Sequence, residues 1–249
     1  YDTYGFPLDL TQDYLKSKKI EVDIDSFNIK MKEQKDRARQ SWKGIGNQED
    51  QKKWFQITEK LIPTEFLGYE QTKSESKIIS IINKDSEIES ISKENNGIII
   101  LNQTPFYGES GGQIGDSGKI IFENNIFEVF ETTKLFGSFF LHHGKVTIGK
   151  FTKGDNVIAV IDEKKREFTK CNHSSTHLLH SSLRKILGNH VAQKGSLVNN
   201  EKLRFDFSHN EPISFDNIVK IENYVKKEIK SNTKVSTKII DHQKAIDEG

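Results

Sequence analysis

Between Lys77 and Asp162 the chain reads as a succession of short strands, and this narrows its fold more than any other feature. The runs KIISII, GIIILN, GKIIFE, IFEVFE, SFFLHH and NVIAVI are β-branched or aromatic, with Gly, Asn and Asp between them. Branched and aromatic side chains suit a pleated, half-buried surface, whereas Gly, Asn and Asp leave strands and enter turns. Runs of this kind in close succession predict an antiparallel barrel or sandwich.

Either side of that region the pattern is helical or mixed. Residues 1–57 read as helical: Pro7 suits a first turn ahead of Leu10, Tyr14 and Leu15. A second helix is predicted from Ser26 to Lys43, with Phe27, Met31 and Ala38 on one side and Gly44 as its stop. Its other faces carry Lys30, Lys32, Lys35, Arg37, Arg39 and Lys43 against only Glu33 and Asp36. That is either a solvated face or a surface for phosphates. From Glu167 onward helices and strands alternate. Asn172 is the expected cap of a helix from His173 to about Leu187, with Leu179, Leu183, Ile186 and Leu187 on its core face. LRFDFSH reads as a strand with Leu203, Phe205 and Phe207 on one face. Ile218, Ile221, Val225 and Ile229 trace a helical stripe, and KVSTKII a further strand. The expected class is α+β in three parts: a helical segment 1–57, an antiparallel β region 58–165, barrel or sandwich, and an α+β module 166–249.

Composition excludes several function classes. With 249 residues the chain can bury more than one core. It has no run of about 18 apolar residues, so no transmembrane helix is expected, and YDTYGFPLDL lacks the pattern of a signal peptide. A single cysteine, Cys171, forbids an internal disulfide and suits a reducing cytosol. The net charge of +1 gives no global case for nucleic acid, so any basic surface must be local.

Two stretches carry chemistry. HSSTHLLH, residues 173–180, spaces three histidines by four and three. At about 100° per residue, His173, His177 and His180 fall within roughly 60° of one another on a helix. A His-x-x-x-His pair is a cheap way to supply two zinc ligands, yet it is also a common edge-of-core feature. Zincin proteases place their water-polarising glutamate where this chain has Ser174. TPFYGESGGQIGDSG, residues 104–118, has glycines at 108, 111, 112, 115 and 118. Such a loop is either a tight hairpin or a backbone that approaches a ligand closely, Gly111 and Gly112 foremost. It does not fit a phosphate-cradling P-loop. Gln113, an amide set among glycines, brings both a donor and an acceptor.

Taken together and in order, FYGESGGQIGD, NHSSTHLLHSSLRKILGNHVAQKGSLV and LRFDFSH closely resemble the editing region of the alanyl-tRNA synthetase family. The opening YDTYGFPLDLT and MKEQKDRAR resemble the segment that precedes it. What the resemblance implies is an editing domain that hydrolyses the ester of tRNA(Ala) mischarged with serine or glycine. Its β-barrel carries the glycine loop, and its α+β module is of the kind shared with threonyl-tRNA synthetases. His173 and His177 match the family's first zinc-binding pair. Thr176 and Gln113 match residues that discriminate and process the mischarged amino acid. The family completes its zinc site with a later Cys-x-x-x-His, which is missing because the sequence ends at AIDEG. No class II ATP-binding motif is present either, so ATP and magnesium belong only to the parent enzyme and an internal fragment is expected. The partner implied is tRNA, not DNA or membrane, and the location cytoplasmic. The competing expectation is a tRNA-binding fragment without catalysis; a zinc peptidase is weakened by Ser174.

Overall fold

A computed structural model describes residues 48–84 and 86–234, together with Leu15, Lys18, Asp23, Ile24, Ser26, Phe27, Lys30 and Lys244. The chain divides into two compact units, Tyr1–Phe55 and Gln56–Gly249. In the first, Ile24, Ser26, Phe27 and Lys30 are helical. Asp23 caps this helix, accepting from Ser26 N at 2.9 Å and from Ser26 Oγ at 2.7 Å. The helix thus begins ahead of the expected Ser26, because a carboxylate is at least as good a cap as a hydroxyl. Helix α1, Gln48–Thr58, follows. The opening helix around Leu10 and Tyr14, and Lys35, Arg37 and Arg39, lie outside the described residues.

The second unit is built on a closed barrel. Its strands are β1 Glu65–Phe66, β2 Lys73–Asn83, β3 Ser86–Ile88, β4 Ser90–Ser92, β5 Asn96–Leu101, β6 Gln103–Thr104, β7 Gly118–Phe122, β8 Asn125–Leu135, β9 Phe139–Ile148, β10 Lys150–Thr152 and β11 Asn156–Ile161. The order β11-β7-β8-β9-β5-β2 closes on itself through an antiparallel β11–β2 pairing, giving six strands in the ring, and β3 extends β2. Closure removes the sheet's free edges. The predicted runs are the wall strands, and their alternation buries Ile78, Ile99, Leu101, Ile120, Phe127 and Val146 in one core, joined by Phe106 from the loop after β6 and Phe151 from β10.

An imidazole is among the polar groups sealed in this wall. His142 is fully buried; its Nδ1–H donates to Ile99 O at 2.8 Å, and its Nε2 accepts from Thr104 Oγ1 at 2.8 Å. The neutral tautomer protonated on Nδ1 satisfies both ring nitrogens. Burial, with a smaller contribution from His143, pushes its pKa down from 6.5 to about 4.

Beyond the barrel come helix α2, Glu163–Leu187, the hairpin β12 Gln193–Val198 and β13 Leu203–Phe207, and helix α3, Phe215–Ser231. Leu183, Val191 and Ile221 form a second core with Leu179, Ile186, Leu187, Phe205 and Phe207 against it. The strand and stripe expected at 203–207 and 218–229 are these elements, whereas KVSTKII lies almost wholly outside the described residues.

The start of α2 corrects the sequence reading. The helix is capped by Asp162, whose carboxylate accepts from Lys165 N at 3.0 Å, ten residues before the expected Asn172. Asn172 lies inside the helix and donates its side-chain amide to Asn199 O at 2.8 Å. The extra turns, EKKREFTKCN, carry no apolar stripe because Arg166 and Thr169, not leucines, are the residues buried there.

Candidate active site

The glycine loop joins β6 to β7, and its tip is a tight turn. Ser110 and Gln113 exchange backbone hydrogen bonds of 3.2 and 3.0 Å around Gly111 and Gly112, whose φ values are +60° and +83°. Left-handed backbone at two consecutive positions is what glycine supplies at least strain. Close approach is required as well. A β-carbon on Gly112 would stand 2.3 Å from Ser196 Oγ and 2.6 Å from Ser196 O. The loop tip therefore packs on β12: Val198 N donates to Gly112 O at 2.7 Å, and Ile114 N to Val198 O at 3.0 Å. The hairpin reading of this loop holds, and the surface that its backbone approaches is β12.

Three residues past Gln113 the loop is bolted down. Asp116 accepts from Arg166 Nε at 2.9 and 3.0 Å and from Arg166 Nη2, and its Oδ2 also accepts from Tyr107 N at 2.7 Å. Arg166 completes its fork by donating to Gly68 O at 2.7 Å and to Pro105 O at 2.9 Å. Both side chains are about nine-tenths buried. Neither residue stands out in the sequence: Asp116 lies among the glycines of the loop, and Arg166 sits in the charged run DEKKRE.

Arg166 fixes the register of α2 against the loop. Arg166, Thr169, His173, Thr176 and His180 recur at steps of three and four and share one helical face. Two turns beyond Arg166, the Nδ1–H of His173 donates to Gln113 Oε1 at 2.5 Å. That contact spans 60 residues and joins the two stretches singled out in the sequence. It leaves His173 with its lone pair on Nε2. The Gln113 side chain is buried, and its Nε2 has no hydrogen bond among the described residues, so its two donors are available. His177 stacks on His173 with centroids 5.0 Å apart. Partial burial, followed by the neighbouring His177, lowers the His173 pKa below its ordinary value. Thr176 is buried on the same face and donates its hydroxyl to Asn172 O at 2.9 Å, which commits its proton but not its oxygen lone pairs. The His180 ring lies 5.0 Å from that of Phe205.

Two imidazoles are half of the four ligands a structural zinc takes. No group of three or more His, Cys, Asp or Glu side chains converges among the described residues, so these do not complete a zinc site. No helix among the described residues is long and apolar enough to cross a membrane.

The family model for tRNA synthetases class II (A) matches residues 1–165. The alanine–tRNA ligase of Wolbachia pipientis wMel is 47% identical over 251 residues, which cover 100% of this chain and 29% of that protein. The alanine–tRNA ligase of Nitrobacter winogradskyi is 46% identical over 240 residues, covering 96% of this chain and 27% of that protein. The chain spans less than a third of the length of these curated relatives. By this match it belongs to the class II aminoacyl-tRNA synthetases. Within that class its family is alanyl-tRNA synthetase, as the sequence resemblance predicts.

Proposed function

We propose that the chain is the editing part of an alanyl-tRNA synthetase and hydrolyses the ester of tRNA(Ala) mischarged with serine or glycine. The observation that carries this reading is the contact between Gln113 Oε1 and His173 Nδ1, which brings the glycine loop and the histidine helix into one site. Residues 58–165 would be the barrel and 166–249 an α+β editing module, with 1–57 the end of the tRNA-recognition region. Lys35, Arg37 and Arg39 would contact tRNA phosphates. Ligation with ATP and magnesium belongs to other parts of the parent enzyme, and its location would be the cytoplasm.

An aminoacyl ester is already an activated acyl donor, so positioning and stabilisation of the developing oxyanion are the main tasks. The unpaired Nε2 donors of Gln113 suit the oxyanion, and His173 holds the amide in place. Thr176 offers an oxygen that accepts from the hydroxyl of serine, a partner that alanine lacks. A pocket in the synthetic site distinguishes such small differences by only about 10²-fold, which is why a second hydrolytic site is useful. Replacing Gln113 with Ala is expected to lower seryl-tRNA(Ala) deacylation by roughly 100- to 1,000-fold, on the scale of losing one oxyanion donor. A deacylation time course on the purified chain decides it, and an unchanged rate would reduce the loop to a structural hairpin.

Zinc, when bound, would orient substrate or water, with His173 through Nε2 and His177 as two of its ligands. The remaining ligands would have to come from outside the described residues. Held by His173 and His177 alone, a zinc ion would be bound weakly, and the 249-residue chain is then expected to retain well under one zinc per molecule after dialysis against a mild chelator. Stoichiometric zinc that is lost in His177→Ala would overturn this expectation.

A further inference from the structure

Phe130 projects from the outer face of the barrel at a bulge in β8. Val129 pairs with Gly144 and Glu131 with His143, which leaves Phe130 as the extra residue between them. The bulge resets the in–out alternation: Val129 and Thr132 are buried, while Phe130 is 55% exposed. Bulges re-aim side chains, and here the side chain aimed at solvent is an aromatic ring.

The ring is a shared wall of two open cavities of about 570 and 410 Å³. Asn83, Lys84 and Asn96 also line the larger, and Ser117, Lys119 and Lys165 the smaller. The amides of Asn83 and Asn96 and the ammoniums of Lys84 and Lys119 make no side-chain hydrogen bond or ion pair among the described residues. Acidic neighbours are mostly engaged: Glu94 pairs with Lys145 at 2.5 Å, and Asp162 caps α2. Glu128 faces Lys119 in the β7–β8 register without closing an ion pair.

An exposed ring, unpaired amides and unpaired ammoniums match the base face, base edge and phosphate of a nucleotide. The ring stacks on a base, amides read a base edge, and lysines meet phosphate. An apolar peptide would use the ring and leave the rest unsatisfied. We infer that this outer face of the barrel binds single-stranded RNA, with a base stacked on Phe130 and phosphates held by Lys84 and Lys119. The inference rests on the reading above only for the choice of RNA as partner. The smaller cavity starts where the glycine loop ends, at Ser117 and Gly118, and reaches Lys165 in the first turn of α2. RNA held here would lie against the two elements that carry Gln113 and His173.

The test is binding of a fluorescein-labelled single-stranded hexaribonucleotide to the 249-residue chain, read by anisotropy across a salt series. Phe130→Ala and Phe130→Leu should each weaken binding by roughly 5- to 100-fold, the usual effect of losing one stacked base, and Phe130→Trp should preserve it. Lys84→Gln should flatten the slope of log affinity against log salt by about 0.7, the single-strand value for one phosphate. Phe130→Leu binding as tightly as Phe130 would show an apolar docking face instead and overturn the proposal. So would an affinity that none of the substitutions changes. No ester is present in this assay, so its outcome and that of the Gln113 deacylation assay are separate.

Discussion

Arg166→Met should destabilise the Gln56–Gly249 unit by about 3–5 kcal/mol, the scale for removing one partner of a buried ion pair. The substitution leaves Asp116 buried with only the Tyr107 N–H, and leaves Gly68 O and Pro105 O without their guanidinium donor. The double variant Arg166→Met with Asp116→Leu should regain part of the loss, since no uncompensated charge then remains. Urea melts of the three proteins provide the comparison. A single variant within about 1 kcal/mol of the parent would mean that the pair is solvated after all, at the level of a surface bridge.

The second large effect is on acid stability. The folded protein holds His142 neutral, with a pKa of about 4 against an ordinary 6.5. The unfolded chain takes up the proton first as pH falls, so the contribution is fully present above about pH 6.5 and drains away toward pH 4. Linkage puts the whole loss at roughly 3 kcal/mol. Carboxylates and His173 titrate in part of this window too, so the informative quantity is a difference. The fall in unfolding free energy between pH 7 and pH 4.5 should be shallower in His142→Gln, by about 2–3 kcal/mol, than in the parent. Equal slopes in the two proteins would exclude His142 as the source. At pH 7 the variant should be less stable than the parent, because Gln cannot reproduce both ring contacts.

The barrel was legible because its information is local. Every wall strand announces itself by branched residues and by the Gly, Asn or Asp that follows, and the ladder only has to close. The first half of α2 was not legible, because its buried face is made of Arg166 and Thr169, which look solvent-exposed in sequence. Hydrophobic periodicity finds a helix that packs on an apolar core and misses one that packs on a loop through ion pairs. Gln113 and His173 were visible as separate candidates; their contact was not, since nothing in either stretch encodes a meeting across 60 residues. Asp116 had at most a faint signal, as one of two acids in the glycine run. For Arg166 there was none.

The interval from Arg166 to His173 is seven residues, which on a helix advances about 700°, within 20° of two full turns. That interval works as a gauge. One end is locked to Asp116 and the other meets Gln113, three residues away on the same loop, so the distance between the two loop contacts is copied onto the helix. Inserting one residue between them would rotate everything downstream by about 100° and advance it about 1.5 Å. His173, His177 and Thr176 would leave the loop together while Arg166 stayed anchored. Length variation among such chains should therefore collect in surface turns such as 199–202 and be absent between positions 166 and 173, where the spacing matters as much as the residues.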